Sequence, residues 1–512
     1  MKRIAILSTL AFCLLSLSLD AQVPPEFTDL YAELEGYLTN FDATLDTNWN
    51  GTLSDCLMAA TLMPATSAGR DWSSAGDAST DTNFLNDMVV PYLDALQALG
   101  IKSIKFAIQF PILYQPFYAA TNGENYPAGY TNTFNFYSNL VVLLRQRGIK
   151  IIIPTESIIA GNGADTTTYE RSLTFPQFVA GRSALIQTIA RYLKPDYLIL
   201  QSEPETEAAN LPANLGNQIT NAAADMLMIS NFLTDLQTAG LRSSNTIIGA
   251  GCGTAQSDFT NFLAGFTTLP GLDLLDIHVY QINHFPITGV DELQRIIQMA
   301  DAAHVTNAIH PNGMRVGIGE YWLYKQANME YGSTNLGANT FRGRNVYSCF
   351  SPLDREMQLC MVKVAHYEQF DFIDPYWTEY FFSYLDYTQM QTYVQSLINS
   401  NLSSDAIGLM LQNTNQSLVF PALLAGQQTA TAQGYAEYIE PGPPLLRITN
   451  NGAGSVSLGW SPVAIKFLPQ QNPNSLGANW TTIPVPPRAA GSDFSVTLTT
   501  TNNQEFFRLH QP

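Results

Sequence analysis

Eight short apolar runs, alternating with longer amphipathic stretches, constrain this chain more than any other feature. The runs cover residues 56–63, 103–110, 150–154, 197–201, 246–250, 274–280, 316–320 and 372–380. The clearest are rich in β-branched or large apolar residues, bounded by Pro or Gly, and too short for helices, so they read as buried strands. Helix-like periodicity fills 84–99, 136–147, 178–192, 222–239, 290–303 and 354–369. Strands buried on both faces and separated by helices require a parallel sheet. Eight such repeats predict an α/β fold closed as a (β/α)8 TIM barrel, whose chemistry sits at the strand C-termini.

Two of these runs end at a carboxylate. Tyr197-Leu198-Ile199-Leu200-Gln201-Ser202 leads to Glu203-Pro204, and Arg315-Val316-Gly317-Ile318-Gly319 leads to Glu320-Tyr321-Trp322. They lie 117 residues apart, about three strand–helix units. Paired carboxylates at one barrel mouth are the equipment of glycoside hydrolysis, one as acid/base and one as nucleophile. Glu203 is the expected acid/base, with Glu205 its nearest competitor, and Glu320 the expected nucleophile. Gly317 and Gly319 leave room beside Glu320, and Tyr321-Trp322 offer a wall for a sugar ring.

In the sixth run, alternation places Asp276, His278 and Tyr280 on one face. His278 and Tyr280 should therefore reach the mouth together, Tyr280 bonding the nucleophile and His278 ordering the polar network. Glu156, at the end of the third run, is a candidate substrate contact, as is Glu379 beyond the eighth. The stretch after the second run carries Tyr114, Phe117, Tyr118, Tyr126 and Tyr130, which either stack on sugar faces or pack a long loop.

These motifs, taken in strand order, resemble clan A glycoside hydrolases, with the cellulase and mannanase branch the nearest pattern. The residues that carry the resemblance are Ser202-Glu203-Pro204, His278-Val279-Tyr280, Gly319-Glu320-Tyr321-Trp322 and Tyr376-Trp377. It spans roughly residues 50–400 and implies a retaining mechanism, with His278, Tyr280 and Trp377 around the sugar being cleaved. Two departures stand out. Ser202 replaces the asparagine usual before the acid/base, leaving a shorter group to reach the sugar. The second strand offers Lys105 where an arginine is common.

The ends of the chain have their own signatures. Lys2-Arg3, an apolar stretch to Leu19 and Ala21 read as a signal peptide over residues 1–21, implying a secreted or periplasmic protein with no membrane span after cleavage. Its removal leaves 22 basic and 42 acidic side chains, a balance that argues against nucleic acid as partner. The expected partner is a β-linked polysaccharide or oligosaccharide, acted on by a monomer. Cys56, Cys252, Cys349 and Cys360 either pair or stay as buried thiols. No Cys/His cluster has metal-ligand spacing, and neither metal nor cofactor is expected. The barrel is assigned to 22–440, its last part, 389–440, helical and then irregular. A Pro/Gly linker at 441–444 leads to a small β-sandwich over 445–512, in which Trp460 and Trp480 are expected in the core.

Two other readings remain beside a retaining, endo-acting β-glycosidase. One is a glycan-binding protein on a degenerate barrel, which would have no chemical need for either glutamate. The other is a barrel hydrolase acting on a different bond.

Overall fold

Alternation decides where each strand residue goes. On the third strand Ile151 and Ile153 join the core between sheet and helices, while Ile152 turns the other way. It meets Ala59, Tyr197, Ile199, Leu274 and Phe372, a separate cluster that fills the barrel interior. The Tyr197 and Phe372 rings meet edge-on at 4.9 Å, the largest pieces of this plug. The computed structural model describes residues 23–49, 54–70, 83–121, 128–157, 164–243, 245–283, 290–325, 342–439, 446–452, 454–460, 468–473, 480–483, 488–490, 493–499 and 506–510.

Eight parallel strands close on themselves in sequence order. They are β1 (Leu57–Thr61), β2 (Ser103–Lys105), β3 (Lys150–Pro154), β4 (Tyr197–Ile199), β5 (Ile247–Gly253), β6 (Leu274–Val279), β7 (Arg315–Tyr321) and β8 (Phe372–Pro375). Leu57 and Met58 pair with Phe372 and Ile373, which seals the barrel. The molecule is thus a TIM barrel followed by a small β module. The main departures from expectation are at β2 and β8, which end several residues early. Beyond β2 the chain stays beside the third strand, the Phe106, Ile108 and Phe110 amides bonding the Ile152, Pro154 and Glu156 carbonyls, and beyond β8 it forms a short 3-10 helix, Thr378–Phe381.

One strand carries an irregularity that matters for the site. Ile277 faces Ile318 across the β6–β7 ladder, yet His278 faces Glu320, so β7 holds an extra residue there. The β7–β8 pairing steps from Ile318–Ile373 to Tyr321–Pro375, the same surplus seen from the other side. Such a bulge re-aims the side chain that follows it. Here that side chain is Glu320.

Helices cover the outside of the sheet. Thr28–Asn48 buries Leu30, Leu34, Leu38, Phe41 and Leu45 along one stripe and packs against Ser351–Tyr367. Lys363 on the latter reaches Asp42 at 2.6 Å and Asp46 at 2.7 Å. The part read as irregular toward residue 440 is instead helical: Tyr387–Asn399, Ser404–Leu424 and Ala430–Ile439. Ser404–Leu424 starts at Ser403, whose hydroxyl caps the Ala406 amide, and packs against Val90–Gln97, Arg342–Asn345 and the 3-10 turn after β8.

The C-terminal module holds two antiparallel sheets. Arg447–Gly452 (β9), Ser455–Trp460 (β10), Arg488–Ala490 (β13) and Asp493–Thr499 (β14) make the first, and Leu468–Asn472 (β11), Thr481–Thr482 (β12) and Phe506–His510 (β15) the second. Trp460 is fully buried, as expected; Trp480 is only half-buried, with the Arg508 guanidinium 4.4 Å above its ring. The expected signal peptide and the 441–444 linker lie outside the described residues. All four cysteines described are free thiols, three of them buried. Among the described residues no helix is long and apolar enough to cross a membrane.

Candidate active site

Above the apolar plug the barrel interior turns polar. Lys105, next on the inner face of β2 after Ser103, is buried, and so is Asp374, two residues past Phe372 on β8. Their charged ends meet at 3.1 Å, and the Thr61 hydroxyl donates to the same Asp374 oxygen at 2.6 Å. Lys105 also donates to Glu320 Oε1 at 2.9 Å and to the carbonyl of Gly319, the residue at the bulge. Burial works against the Lys105 charge, but Asp374 and Glu320 outweigh it and raise its pKa. Burial lifts the Asp374 carboxyl to about 6, with Lys105 opposing.

Glu320 receives a second donor on its other oxygen, the Tyr280 hydroxyl. Burial and the Glu320 charge push the Tyr280 pKa well up, so the phenol remains a donor. Flanked by an ammonium and a phenol, Glu320 is placed as an acceptor on both sides, the role of a carboxylate rather than of an acid. Two cations close to it in sequence are engaged elsewhere: Arg315 pairs with Asp371 and Lys325 with Asp354.

Glu203 is set by local chain geometry. Pro204 occupies the first position of the helix Pro204–Asn210, where its fixed φ suits the turn, so the chain leaves β4 and starts a helix at Glu203. The Glu203 backbone carbonyl accepts the Glu207 amide at 2.9 Å, which leaves its side chain to the barrel mouth. There Oε1 lies 2.8 Å from His278 Nδ1. The same ring nitrogen is 3.7 Å from Glu320 Oε2, and Nε2 is 3.2 Å from Asp276. Burial disfavours the imidazolium, yet Glu320, Asp276 and Glu203 together hold the His278 pKa well above its ordinary value. A carboxylate oxygen of Glu203, one of Glu320 and a His278 nitrogen all lie within 4.8 Å of one another. This trio has the composition of a metal site, but its groups already bond one another and their neighbours: His278 meets Glu203 and Asp276, and Glu320 accepts from Lys105 and Tyr280.

These groups open into a cavity of about 800 Å³ at the C-terminal ends of the strands. Tyr280, Tyr324 and Trp377 form its aromatic wall, with Tyr324 and Trp377 stacked at 5.2 Å and 15°. Glu205 lies at the rim, bonded by the Ser257 hydroxyl, and takes no part in the trio.

Of the residues singled out from sequence, the structure brings Glu203, His278, Tyr280, Glu320 and Trp377 together at this cavity, with Glu205 and Glu379 also in its wall. Three others it does not. Trp322 is buried against Tyr380 and Phe381 of the turn after β8, although beyond the end of β7 its amide still bonds the Val279 carbonyl of β6 at 3.1 Å. Tyr324 takes the place expected of it. Ser202 is fully buried and does not line the cavity. Glu156 is also buried off the cavity, accepting from the Gln109 amide at 3.0 Å. Burial and the nearby Glu320 charge raise its carboxyl to about 7. The aromatic stretch after β2 also stays off the cavity wall: Phe117 and Tyr118 are buried in the short helix Gln115–Thr121, and Tyr126 lies outside the described residues.

Asp374 and Tyr324 went unread in the sequence. Asp374 was within reach of alternation, sharing a face with Phe372. Tyr324 lies beyond the strand end, where no periodicity applies.

No protein-family model and no curated protein matches the sequence. Solved structures do resemble the fold. An exo-β-1,4-mannosidase from Opitutaceae bacterium strain TAV5 is 13% identical, with 73% of this chain covering 62% of that one at a TM-score of 0.41. The clostridial cellulose synthase subunit Z from Clostridioides difficile is 14% identical, over 63% and 92% of the two chains at 0.39. The endo-β-1,4-mannanase from Thermotoga petrophila is 10% identical, over 90% and 95% at 0.38. The chain thus spans less than two thirds of the mannosidase. The barrel rests on its own strand order rather than on these likenesses.

Proposed function

We propose that this protein is an exported, retaining β-glycoside hydrolase acting within β-linked chains, with Glu203 as acid/base and Glu320 as nucleophile. The observation that carries this reading is the proximity of the two carboxylates at one mouth, oxygen to oxygen within 4.8 Å. Retaining enzymes hold their carboxyl groups about 5–5.5 Å apart, whereas inverting ones leave about 6.5–9.5 Å for a water. In the first step Glu320 attacks the anomeric carbon as Glu203 gives its proton to the departing glycosidic oxygen. The C–O bond breaks and a glycosyl ester forms on Glu320. Water, deprotonated by Glu203, then attacks the same carbon, releasing the sugar and restoring both groups.

The surrounding residues fit these tasks. Lys105 and Tyr280 fix both oxygens of Glu320, and Tyr280 is placed to follow the charge as the ester forms. His278, bonded to Glu203 and anchored by Asp276, orients the proton donor. Trp377 and Tyr324 offer stacked faces for a pyranose. The cavity also runs to both sides of the carboxylates, from Asn210 and Gln256 beside β4 and β5 to Gln416 beyond β8, which suits a bound chain cut internally.

The test is a screen of β-glucan, mannan, xylan and β-galactan, followed by NMR of the anomer first released from the substrate cleaved. Retention of configuration is expected. E320G should lower turnover by roughly 10³-fold or more, and added azide should yield an α-glycosyl azide. Sugar binding without turnover on any of these glycans would favour a non-catalytic binder, and inversion would remove the ester.

A further inference from the structure

Beyond β8 the cavity wall is not made by the barrel. Helix Ser404–Leu424 buries Ile407, Leu411, Val419 and Leu423 against its neighbours. The adjoining edge of the same helix presents Leu409, Gln412, Asn413 and Gln416 to the cavity. These positions recur at three- and four-residue steps, so they form one continuous strip. Facing the strip, Glu379 lines the cavity from the turn after β8 with only 4% of its surface exposed. Burial lifts its carboxyl to about 7, and neither of its side-chain oxygens has a hydrogen-bond partner among the described residues. A nine-tenths-buried acid and three amides therefore line the cavity together, away from the carboxylate pair.

We propose that Gln412, Asn413 and Gln416, with Glu379 facing them, bind the sugar unit adjoining the cleaved one on its non-reducing side. This inference rests on the glycosidase reading above. The side follows from the chemistry: Glu203 on β4 must face the leaving oxygen, so the departing portion extends past β4 and β5. The retained portion then extends the other way, past Glu320 on β7 toward β8 and the strip. The ligand class follows from the side chains. Primary amides donate and accept at once, as sugar hydroxyls do, and Leu409 gives an apolar patch for a ring face. Glu203, Glu205, Glu292, Glu320 and Glu379 all line the cavity, against Arg342 and His278 as the cationic side chains of its described wall. An uncharged sugar fits this field and a uronic acid does not.

The experiment compares 4-nitrophenyl β-biosides with the corresponding 4-nitrophenyl β-glycosides, in gluco and manno series, for wild type and Q412A/Q416A. Leaving group and chemistry are the same within each pair, and loss of folded enzyme cancels in the ratio of kcat/KM. The double variant should lower the bioside-to-glycoside ratio about tenfold in whichever series the wild type cleaves, as expected for two lost hydrogen bonds. An unchanged ratio, with wild type active, overturns the strip as a sugar site. A wild type that cleaves neither series, nor any glycan of the screen, defeats the glycosidase reading and this inference with it.

Discussion

Two aromatic-rich regions flank the same barrel, and only one lines the cavity. Beyond β2 and β3, Phe110, Tyr114, Phe117 and Tyr169 pack ring against ring, with centroids 5.2–6.5 Å apart. Beyond β6 to β8, Tyr280, Tyr324 and Trp377 do the same at 4.5–6.3 Å. Both hold a buried carboxyl with a raised pKa: Glu170, bonded by Ser157 at 2.7 Å and lifted to about 8 by burial, in the first; Asp374 in the second. What differs is where the polar atoms spend their bonds. Tyr118 gives its hydroxyl to the Ile112 carbonyl at 2.7 Å, an internal tie of a packed segment. Tyr280 gives its hydroxyl to a carboxylate that borders open space. Neither aromatic density nor a perturbed acid marks a site; convergence of donors on an accessible acid does.

Among the groups that support that acid, the largest effect should come from the charge beneath it. K105M leaves Glu320 and Asp374 facing each other without a cation, and kcat should fall about 10²-fold with KM little moved. Because an unpaired buried charge also destabilises the fold, K105R serves as the companion: it restores a cation and should recover much of kcat. If K105M stays within threefold of wild type, the ammonium serves Asp374 alone.

A milder pair sets the two regions against each other directly. Y280F should lower kcat/KM about tenfold with little change in melting temperature, by removing one bond to the reacting carboxylate. Y118F should leave kcat/KM within twofold and cost about 1 kcal/mol of stability. Equal losses of activity from both would erase the distinction drawn here.

The smallest effect concerns Glu170 and pH. Its folded pKa of about 8 lies above the ordinary glutamate value near 4.3. Between those values the folded state keeps a proton that the unfolded state gives up, so stability falls as pH rises from about 5 to about 8. E170Q cannot ionise and should melt roughly 2–4 °C above wild type at pH 8, with no advantage at pH 5. An identical difference at both pH values would show that Glu170 does not carry this slope.

How much of the molecule could be read in advance divides along similar lines. The eight strands, Glu203, Glu320, His278 and Tyr280 were legible because they obey period two and stop at the mouth, where position and orientation follow from local pattern. Trp322 misled because Tyr380 and Phe381, from the turn after β8, cover its ring, a tertiary contact that no local pattern on β7 could show. The helix Thr28–Asn48 has a plain apolar stripe, Leu30 through Leu45, that pattern alone could have shown. The Gln412–Gln416 strip had no such signal: amides at helical spacing look like any solvated face until tertiary docking sets them beside a cavity.

The bulge on β7 has a consequence for which sequences this barrel can accept. A β-carbon at Gly319 would come within 2.2 Å of an Asp276 carboxylate oxygen. That carboxylate is buried and bonded to His278, so it has nowhere to retreat without releasing the imidazole that orients Glu203. Positions 276 and 319 therefore cannot drift one at a time. Related chains in which a larger residue stands at 319 should show a shorter side chain at 276, and with it another means of holding the histidine.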